Sequence, residues 1–306
     1  MNTMHLADFG TTFIGGQLLA GQDGRIRHAG AAGLNWVIPR DAHPVSITMI
    51  HGGGGQATDF ITTPDGRPGW LHRFLAAGHP VWLLDRPGHG RAVWNEDHMG
   101  PTVPAADLAM MEARFMHPAR AGQWPEAALH DQWPDGGDAD AVFMAGQGPM
   151  ARTLAAAQVH AEAVAPALFA RVGPTVLLTH SAGAPCGWAM ASHAAPGQIR
   201  AIVAAEPLGA PGMEHPLGRF PDGLTVSPPG GPQDPFTAPI AVLTGEASWM
   251  GAGNVALVDW LRRNGRNVDH LRLAEHGLHG NGHMLMSERN SDAIADLVLT
   301  WLADRI

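Results

Sequence analysis

Short apolar runs, several of them rich in β-branched residues, recur along the chain and predict the buried strands of a parallel sheet. These runs cover residues 45–50, 81–85, 175–180, 201–206 and 240–245, with a weaker one at 269–273. Helical patterns lie between the strands, at residues 70–77, 254–264 and 291–302. Two further short runs, at 11–14 and 35–38, predict an antiparallel edge. Strands that alternate with helices predict an α/β fold, in which a mostly parallel, doubly wound sheet carries helices on both faces.

Two stretches interrupt this alternation. Residues 92–147 are rich in proline and tryptophan, and they are too long to be a simple connection between two strands. They predict a cap inserted into the fold, so that residues 1–91 and 148–306 form the core. A second segment rich in proline and glycine, residues 209–239, predicts another excursion at the surface.

Composition narrows the possible functions. The chain has 306 residues and a net charge of −9, which argues against a nucleic-acid partner. Its one cysteine, Cys186, can form neither a disulfide within the chain nor a cysteine zinc site. The absence of lysine excludes Schiff-base chemistry and phosphate binding by a P-loop. No apolar stretch reaches the ~18 residues of a membrane span, so no membrane partner is expected.

The beginning of the chain gives an expectation about its compartment. Residues 1–8 contain neither a basic head nor a long apolar run, which are the parts of a secretory leader. A cytoplasmic location is therefore expected.

The clearest chemical signal is a serine directly after an apolar strand, followed by two small residues, Ala182 and Gly183. This pattern predicts a nucleophile elbow, a sharp turn between strand and helix that lifts the hydroxyl of Ser181 out at the carboxyl edge of the sheet. The match is partial, because Thr179 stands where glycine is usual. The alternative is that Ser181 only caps a helix.

A run of four glycines follows His51, directly after the first predicted parallel strand. Glycines in this place let backbone N–H groups face a developing oxyanion without obstruction by side chains. The run predicts an oxyanion hole with one donor from Gly53 or Gly54 and the other from the N–H of Ala182. A phosphate cradle is disfavoured because no Lys-Ser/Thr pair follows, whereas a purely structural glycine turn stays open.

A general base must accept the proton of the serine, and His283 has the expected place for it. It follows the last predicted strand and precedes the final helix, in the chain order serine, acid, histidine. Together with His276 and His279 it could instead form a metal cluster. Because no acidic residue lies among the three, no metal site is expected.

The acid that orients the histidine has two candidates, each at the end of a predicted strand. Glu206 ends the strand that follows the nucleophile, and Glu246 follows the next strand along the chain. The residues alone leave both open. Asp85 also ends a strand, and we interpret it as shaping the turn of residues 85–91.

These motifs together resemble those of the α/β-hydrolases, and within them the bacterial esterase seven-one-three group of serine esterases. The resemblance rests on residues 51–54, 62–70, 85–91, 180–183, 205–207 and 280–284, and it extends over nearly the whole chain. It implies a Ser-His-Glu triad whose acid follows the sixth strand, which selects Glu206, with Glu246 as the alternative acid. It also implies that a homodimer is possible. The predicted cap departs most from the family.

The predicted function is hydrolysis of a carboxylic ester or lactone through an acyl-enzyme, with a small-molecule substrate and neither a metal nor an organic cofactor. Two alternatives stay open. The same site could cleave a C–C bond in a carbonyl compound as a hydrolase or lyase, or the fold could serve as a ligand receptor without catalysis.

Overall fold

The structure, a computed structural model, describes residues 4–135, 138–213 and 229–306. Of the excursion predicted at residues 209–239, residues 214–228 therefore lie outside the described part.

A long sheet forms the centre of the molecule. Its strands are β1 (Leu6–Ala20), β2 (Ile26–Pro39), β3 (Ser46–Ile50), β4 (Val81–Asp85), β7 (Thr175–His180), β8 (Ile199–Ala205), β9 (Ile240–Thr244) and β10 (Val268–Arg272). Two further strands of two residues each, β5 (Thr102–Val103) and β6 (Met150–Ala151), form a separate small sheet. The order in the main sheet is β1-β2-β4-β3-β7-β8-β9-β10. β3 pairs in parallel with β4 and β7, and the pairs from β7 to β10 are parallel too. The predicted α/β fold with a mostly parallel sheet is confirmed.

Helices cover both faces of the sheet, because the inner strands are apolar on both sides. The α-helices of the described residues are α1 (Trp70–Ala76), α2 (Glu96–Met99), α3 (Leu108–Met111), α4 (Pro118–Ala121), α5 (Ala139–Ala145), α6 (Leu154–Phe169), α7 (Gly183–Ala191), α8 (Gly251–Arg263) and α9 (Ser291–Ala303). Helices α1 and α9 pack on one face, with Trp70 and Trp301 in its core. Helices α6, α7 and α8 pack on the other, with Leu168, Trp188 and Leu257 in its core.

The predicted antiparallel edge is present but is much longer than the two runs at 11–14 and 35–38. β1 and β2 form an extended hairpin, and β2 also pairs antiparallel with β4. The pattern hid this length because Gly15 and Gly16, both with positive φ, interrupt the alternation along β1. Phe9 and Phe13, which face solvent, weaken the signal further.

In the described part of residues 92–147 the elements are all short. Besides α2 to α5 and β5, they include a π-helical turn (Glu112–Met116) and a 3₁₀ turn (Pro125–Leu129). β5 pairs with β6, just beyond the segment, and closes it as a small antiparallel ribbon. The segment contributes Met111, Met116, Trp133 and Phe143 to the core on the α1/α9 face.

Candidate active site

The serine of the predicted elbow sits between β7 and α7. Ser181 has a φ of 51°, a left-handed backbone conformation that is costly for a residue with a side chain. Gly183 is required by the tight turn, because a Cβ at this residue would lie 2.4 Å from the carbonyl oxygen of His51. The side chain of Thr179, which is larger than the usual glycine, fits because Gly187 of α7 has no side chain. A Cβ on Gly187 would lie 2.6 Å from Cγ2 of Thr179. The missing glycine before the serine is thus compensated by a glycine after it.

The glycine run lies against the elbow. A Cβ on Gly52 would lie 2.9 Å from the Cβ of Ser181, and one on Gly54 would lie 2.6 Å from the carbonyl oxygen of Gly148. Among the described residues, no hydrogen-bond acceptor pairs with the N–H groups of Gly53, Gly54 and Ala182. These N–H groups are therefore available to an oxygen atom of a ligand.

His283 is fully buried beside the elbow. Its Nδ1 lies 3.6 Å from Oε2 of Glu206, longer than a hydrogen bond, as is common before substrate binding tightens an active site. Its ring packs against Phe115 and Trp249, each with centroids 5.2 Å apart. His180 donates from Nε2 to the carbonyl oxygen of His283 at 3.0 Å, so the residue before the serine holds the backbone of the histidine.

Burial controls the charge of this imidazole. Desolvation lowers the pKa of His283 to about 3, and the nearby carboxylate of Glu288 acts in the opposite direction. At neutral pH the ring is therefore uncharged and can accept a proton.

Glu206 follows β8 and is also fully buried, with a φ of 50°. Its carboxylate accepts hydrogen bonds from the N–H of Gly245 and the hydroxyl of Ser248, both at 2.6 Å, and from Nδ2 of Asn254 at 3.1 Å. Desolvation raises the pKa of Glu206 to about 8, against these three donors, which favour the ionised form.

Glu246 has a different environment. Its carboxylate accepts from Nδ1 of His279 at 3.2 Å and from the N–H of Gly280 at 3.0 Å, and it is partly exposed. The structure therefore brings Glu206, and not Glu246, next to His283. His276 and His279 are exposed whereas His283 is buried, and no group of residues in the described part of the chain could hold a metal ion.

The sequence patterns did not reveal Glu288, which is buried against Asn281 and Gly282, the two residues before His283. It accepts from the N–H of Gly282 at 2.7 Å and from Nδ2 of Asn281 at 2.6 Å. It also pairs with Nε2 of His130, from the segment 92–147, at 3.2 Å. Gly282 must lack a side chain here, since its Cβ would lie 2.8 Å from the ring of His130. The motif Gly-Asn-Gly-His was the available signal, because its second and third members, Asn281 and Gly282, both donate to this carboxylate.

The turn of residues 85–91 contains a second group of missed contacts. Asp85 accepts from the N–H of Ala57 at 2.7 Å and from Nε of Arg91 at 3.0 Å. Arg86, by contrast, points to the glycine run and donates to the carbonyl oxygens of Gly52 and Gly53. The feature of the sequence that could have indicated this contact is an arginine within the glycine-containing turn of residues 85–91.

Two cavities meet at the serine. One, of about 100 Å³, is lined by Ser181, His283, the glycine run and apolar side chains that include Met110 and Phe143. The other, of about 300 Å³, is lined by Ser181, Ala182, Gly53 and a mostly apolar wall.

Across the described ranges, no helix is long and apolar enough to cross a membrane.

Sequence comparison identifies the family. No family model matches the chain. A probable secreted lipase, phiG, of a fungal species (strain ATCC 74256) is 32% identical over 317 residues, which cover 87% of this chain and 84% of the lipase. The chain belongs to the α/β-hydrolase esterases and lipases. It is a carboxylic ester hydrolase.

Solved structures agree on the fold of this esterase. A novel bacterial esterase superposes with a TM-score of 0.68 at 24% identity, covering 100% of this chain and 98% of that one. A fungal esterase from Rhizomucor miehei superposes with a TM-score of 0.50 at 15% identity, covering 98% and 83%.

The expected cytoplasmic location is wrong. The lipase that is 32% identical is named a secreted protein, which points to an extracellular esterase. The expectation rested on the first residues alone. A prediction from so few residues is outweighed by a relative that is similar over most of the chain.

Proposed function

We propose that this esterase cleaves carboxylic esters, lactones included, through an acyl-enzyme formed on Ser181. His283 is the general base, Glu206 is the acid that supports it, and the oxyanion hole consists of the N–H of Ala182 and that of Gly53 or Gly54. The observation that supports this is one cavity shared by Ser181, His283 and the glycine run, with the carboxylate of Glu206 3.6 Å from the imidazole.

The first half of the reaction forms the acyl-enzyme. Nε2 of His283 accepts the hydroxyl proton of Ser181 as its Oγ adds to the ester carbonyl carbon. The carbonyl oxygen becomes an oxyanion and accepts hydrogen bonds from the backbone N–H groups. The imidazolium then gives its proton to the alcohol oxygen, the C–O bond breaks, and the acyl group remains on the serine.

Water completes the reaction along the same route. His283 accepts a proton from the water, whose oxygen adds to the acyl carbon and forms a second oxyanion. As the oxyanion collapses, the proton passes to Oγ of Ser181 and the carboxylic acid leaves. At neutral pH His283 is uncharged and can accept the proton, and the negative charge of Glu206 raises its basicity by stabilising the imidazolium that forms.

Residues 92–147 are inferred to be the cap of this site. Met110, Phe115 and Phe143 of the segment line the smaller cavity, and Phe115 also packs on the ring of His283. Apolar residues in these places exclude water and favour an apolar acyl or alcohol group.

A homodimer also stays a prediction. Phe9, Phe13 and Leu18 of the edge strand β1 are 73%, 58% and 71% exposed, which makes this edge a candidate contact. Light scattering of the purified protein measures its mass in solution. A monomer at micromolar concentration would contradict the predicted homodimer.

The proposed function is tested with a panel of p-nitrophenyl esters and lactones. Ser181→Ala is expected to lose turnover and labelling by a fluorophosphonate while keeping its melting temperature within a few degrees. Ser192→Ala is the matched control. Ser192 is a buried serine that directly follows α7, the helix that begins after Ser181, and it does not line either cavity. Ester cleavage retained by Ser181→Ala would refute the assignment.

A further inference from the structure

Arg86 follows β4 directly and is buried beside the glycine run, with 3% of its surface exposed. Its Nη2 donates to the carbonyl oxygen of Gly52 at 2.8 Å and to that of Gly53 at 2.7 Å. One guanidinium nitrogen thus holds two consecutive carbonyl groups.

The geometry of the peptide bond gives this contact a consequence. No peptide bond in the described ranges is cis, and in a trans peptide the N–H points opposite to the C=O. The carbonyl of Gly52 shares its peptide with the N–H of Gly53, and the carbonyl of Gly53 with the N–H of Gly54. Both N–H groups are therefore directed away from the guanidinium.

We propose that Arg86 is the positioning residue of the oxyanion hole, fixing the two peptide planes whose N–H groups receive the oxyanion. The inference rests on the proposed function, since it assigns a cause to the oxyanion hole that the function requires.

Glycine makes such an anchor necessary. A run of four glycines is free to adopt many backbone conformations, and it carries no side chain with which to hold itself. Donors stabilise an oxyanion strongly only if they point at it before the reaction begins. The run therefore needs an anchor from elsewhere in the chain, and Arg86 reaches it from the end of β4.

Arg86 is itself held from several sides. Its backbone N–H donates to Nε2 of His51 at 3.1 Å, which leaves Nδ1 as the donor to the carbonyl oxygen of Gly52 at 2.8 Å. Nε2 of His89 lies 3.4 Å from Nη2, and Sγ of Cys186 lies 3.6 Å from Nη1. Burial and the charge of Arg86 lower the pKa of both histidines, so they stay neutral and can accept from the arginine.

A purely structural role does not explain the choice of arginine. Among the residues that the structure describes, no carboxylate lies within ion-pair distance of Arg86, and Asp59 is a buried carboxyl group that interacts with its charge from further away, although burying a cation is costly. A methionine would fill a similar volume without that cost. What arginine adds is a pair of hydrogen bonds to the glycine run and a positive charge beside that run, in the wall of the larger cavity.

The experiment compares Arg86→Met and Arg86→Lys with Arg73→Met, a control arginine of α1 that pairs with Asp296 outside the site. Steady-state kinetics on a p-nitrophenyl ester separate kcat from KM. Arg86→Met is expected to lower kcat by roughly 100-fold with KM changed less than about threefold. Arg86→Lys, which keeps the charge on a shorter side chain without the planar guanidinium group, is expected to lie between Arg86→Met and the wild type.

Two further readouts separate positioning from general loss of structure. The affinity for an alkyl boronic acid, whose adduct with serine is tetrahedral, is expected to fall in parallel with kcat. The affinity for a planar ketone analogue should change little. Guanidinium chloride at millimolar concentration is expected to restore part of the kcat of Arg86→Met, whereas methylammonium should not.

The outcomes distinguish this inference from the function on which it rests. An unchanged kcat in Arg86→Lys and Arg86→Met, beside an inactive Ser181→Ala, would overturn the role of Arg86 alone. An active Ser181→Ala would overturn the function itself. Failure of both Arg86 variants to fold, judged by circular dichroism, would make Arg86 a residue of the core and would also overturn its role as a positioning residue.

Discussion

Two neighbouring parallel strands, β8 and β9, each lead into a glutamate at the same edge of the sheet, and the two glutamates have opposite environments. Glu206 is fully buried, receives three hydrogen bonds and lies 3.6 Å from the imidazole of His283. Glu246 is partly exposed and receives its hydrogen bonds from His279 and Gly280. A position at the end of a strand therefore does not decide which carboxylate lies next to the histidine; burial and the direction of the side chain do.

The largest expected effect separates these two residues. Glu206→Gln keeps the shape of the side chain but removes the charge proposed to stabilise the imidazolium, so kcat/KM should fall by roughly 10³- to 10⁴-fold. Steady-state kinetics measure the loss, and thermal melting checks that the variant folds. A fall of less than about tenfold would mean that another carboxylate does this work.

The pH profile of the wild-type enzyme sharpens the comparison. Because burial raises the pKa of Glu206 to about 8, the carboxyl group takes up a proton as the pH falls below that value. The loss of its negative charge should lower kcat/KM, so activity is expected to rise with pH and to level off above about pH 8.

Glu206→Gln should abolish this dependence in its residual activity. A profile that is flat through the same range in the wild type would contradict the assignment. A midpoint near the ordinary histidine pKa of about 6.5 would contradict it equally.

A smaller effect is expected from Glu288, the second buried carboxylate near His283. Its charge acts to raise the pKa of His283, and its oxygens hold the loop of Asn281 and Gly282. Glu288→Gln should therefore lower kcat about tenfold, because the imidazole becomes a weaker base.

The matched control for Glu288 is Glu162→Gln, since Glu162 also pairs with a histidine, His193, but away from both cavities. Equal losses of activity in the two variants would show a general effect of removing a glutamate.

The smallest effect is expected at Glu246. Its partners are the exposed His279 and a backbone N–H, so Glu246→Gln should change kcat/KM by less than about threefold and the free energy of unfolding by up to about 1 kcal/mol. Kinetics and urea denaturation measure the two quantities. If this variant proves inactive while Glu206→Gln is active, the two glutamates have been assigned the wrong way round.

The sequence predicted the parts of the molecule whose signals are local. The apolar strands β4 and β7 have the predicted bounds, because buried parallel strands are continuous apolar runs. The place of Ser181 between a strand and a helix follows from the same pattern. β1 was predicted at less than half its length, since an edge strand with solvent-facing phenylalanines shows no clear alternation.

The residues that the sequence did not reveal act across long distances along the chain. His130 reaches Glu288 over 158 positions, and Arg86 reaches Gly53 over 33. No periodic pattern records such contacts, and the same residue types are frequent elsewhere in the chain. The local sequence pattern could not distinguish Glu206 from Glu246, because both follow apolar strands. Only the resemblance to a family favoured Glu206.

The backbone at Ser181 has a consequence for engineering this enzyme. In the described part of the chain, Ser181 and Glu206 are the two residues other than glycine with a left-handed φ, and relief of this conformation by glycine is worth on the order of 1 kcal/mol. Replacing Ser181, the proposed nucleophile, by glycine should thus make the protein more resistant to heat while ending its catalysis. A laboratory selection for thermal tolerance that does not also score turnover would favour such inert variants.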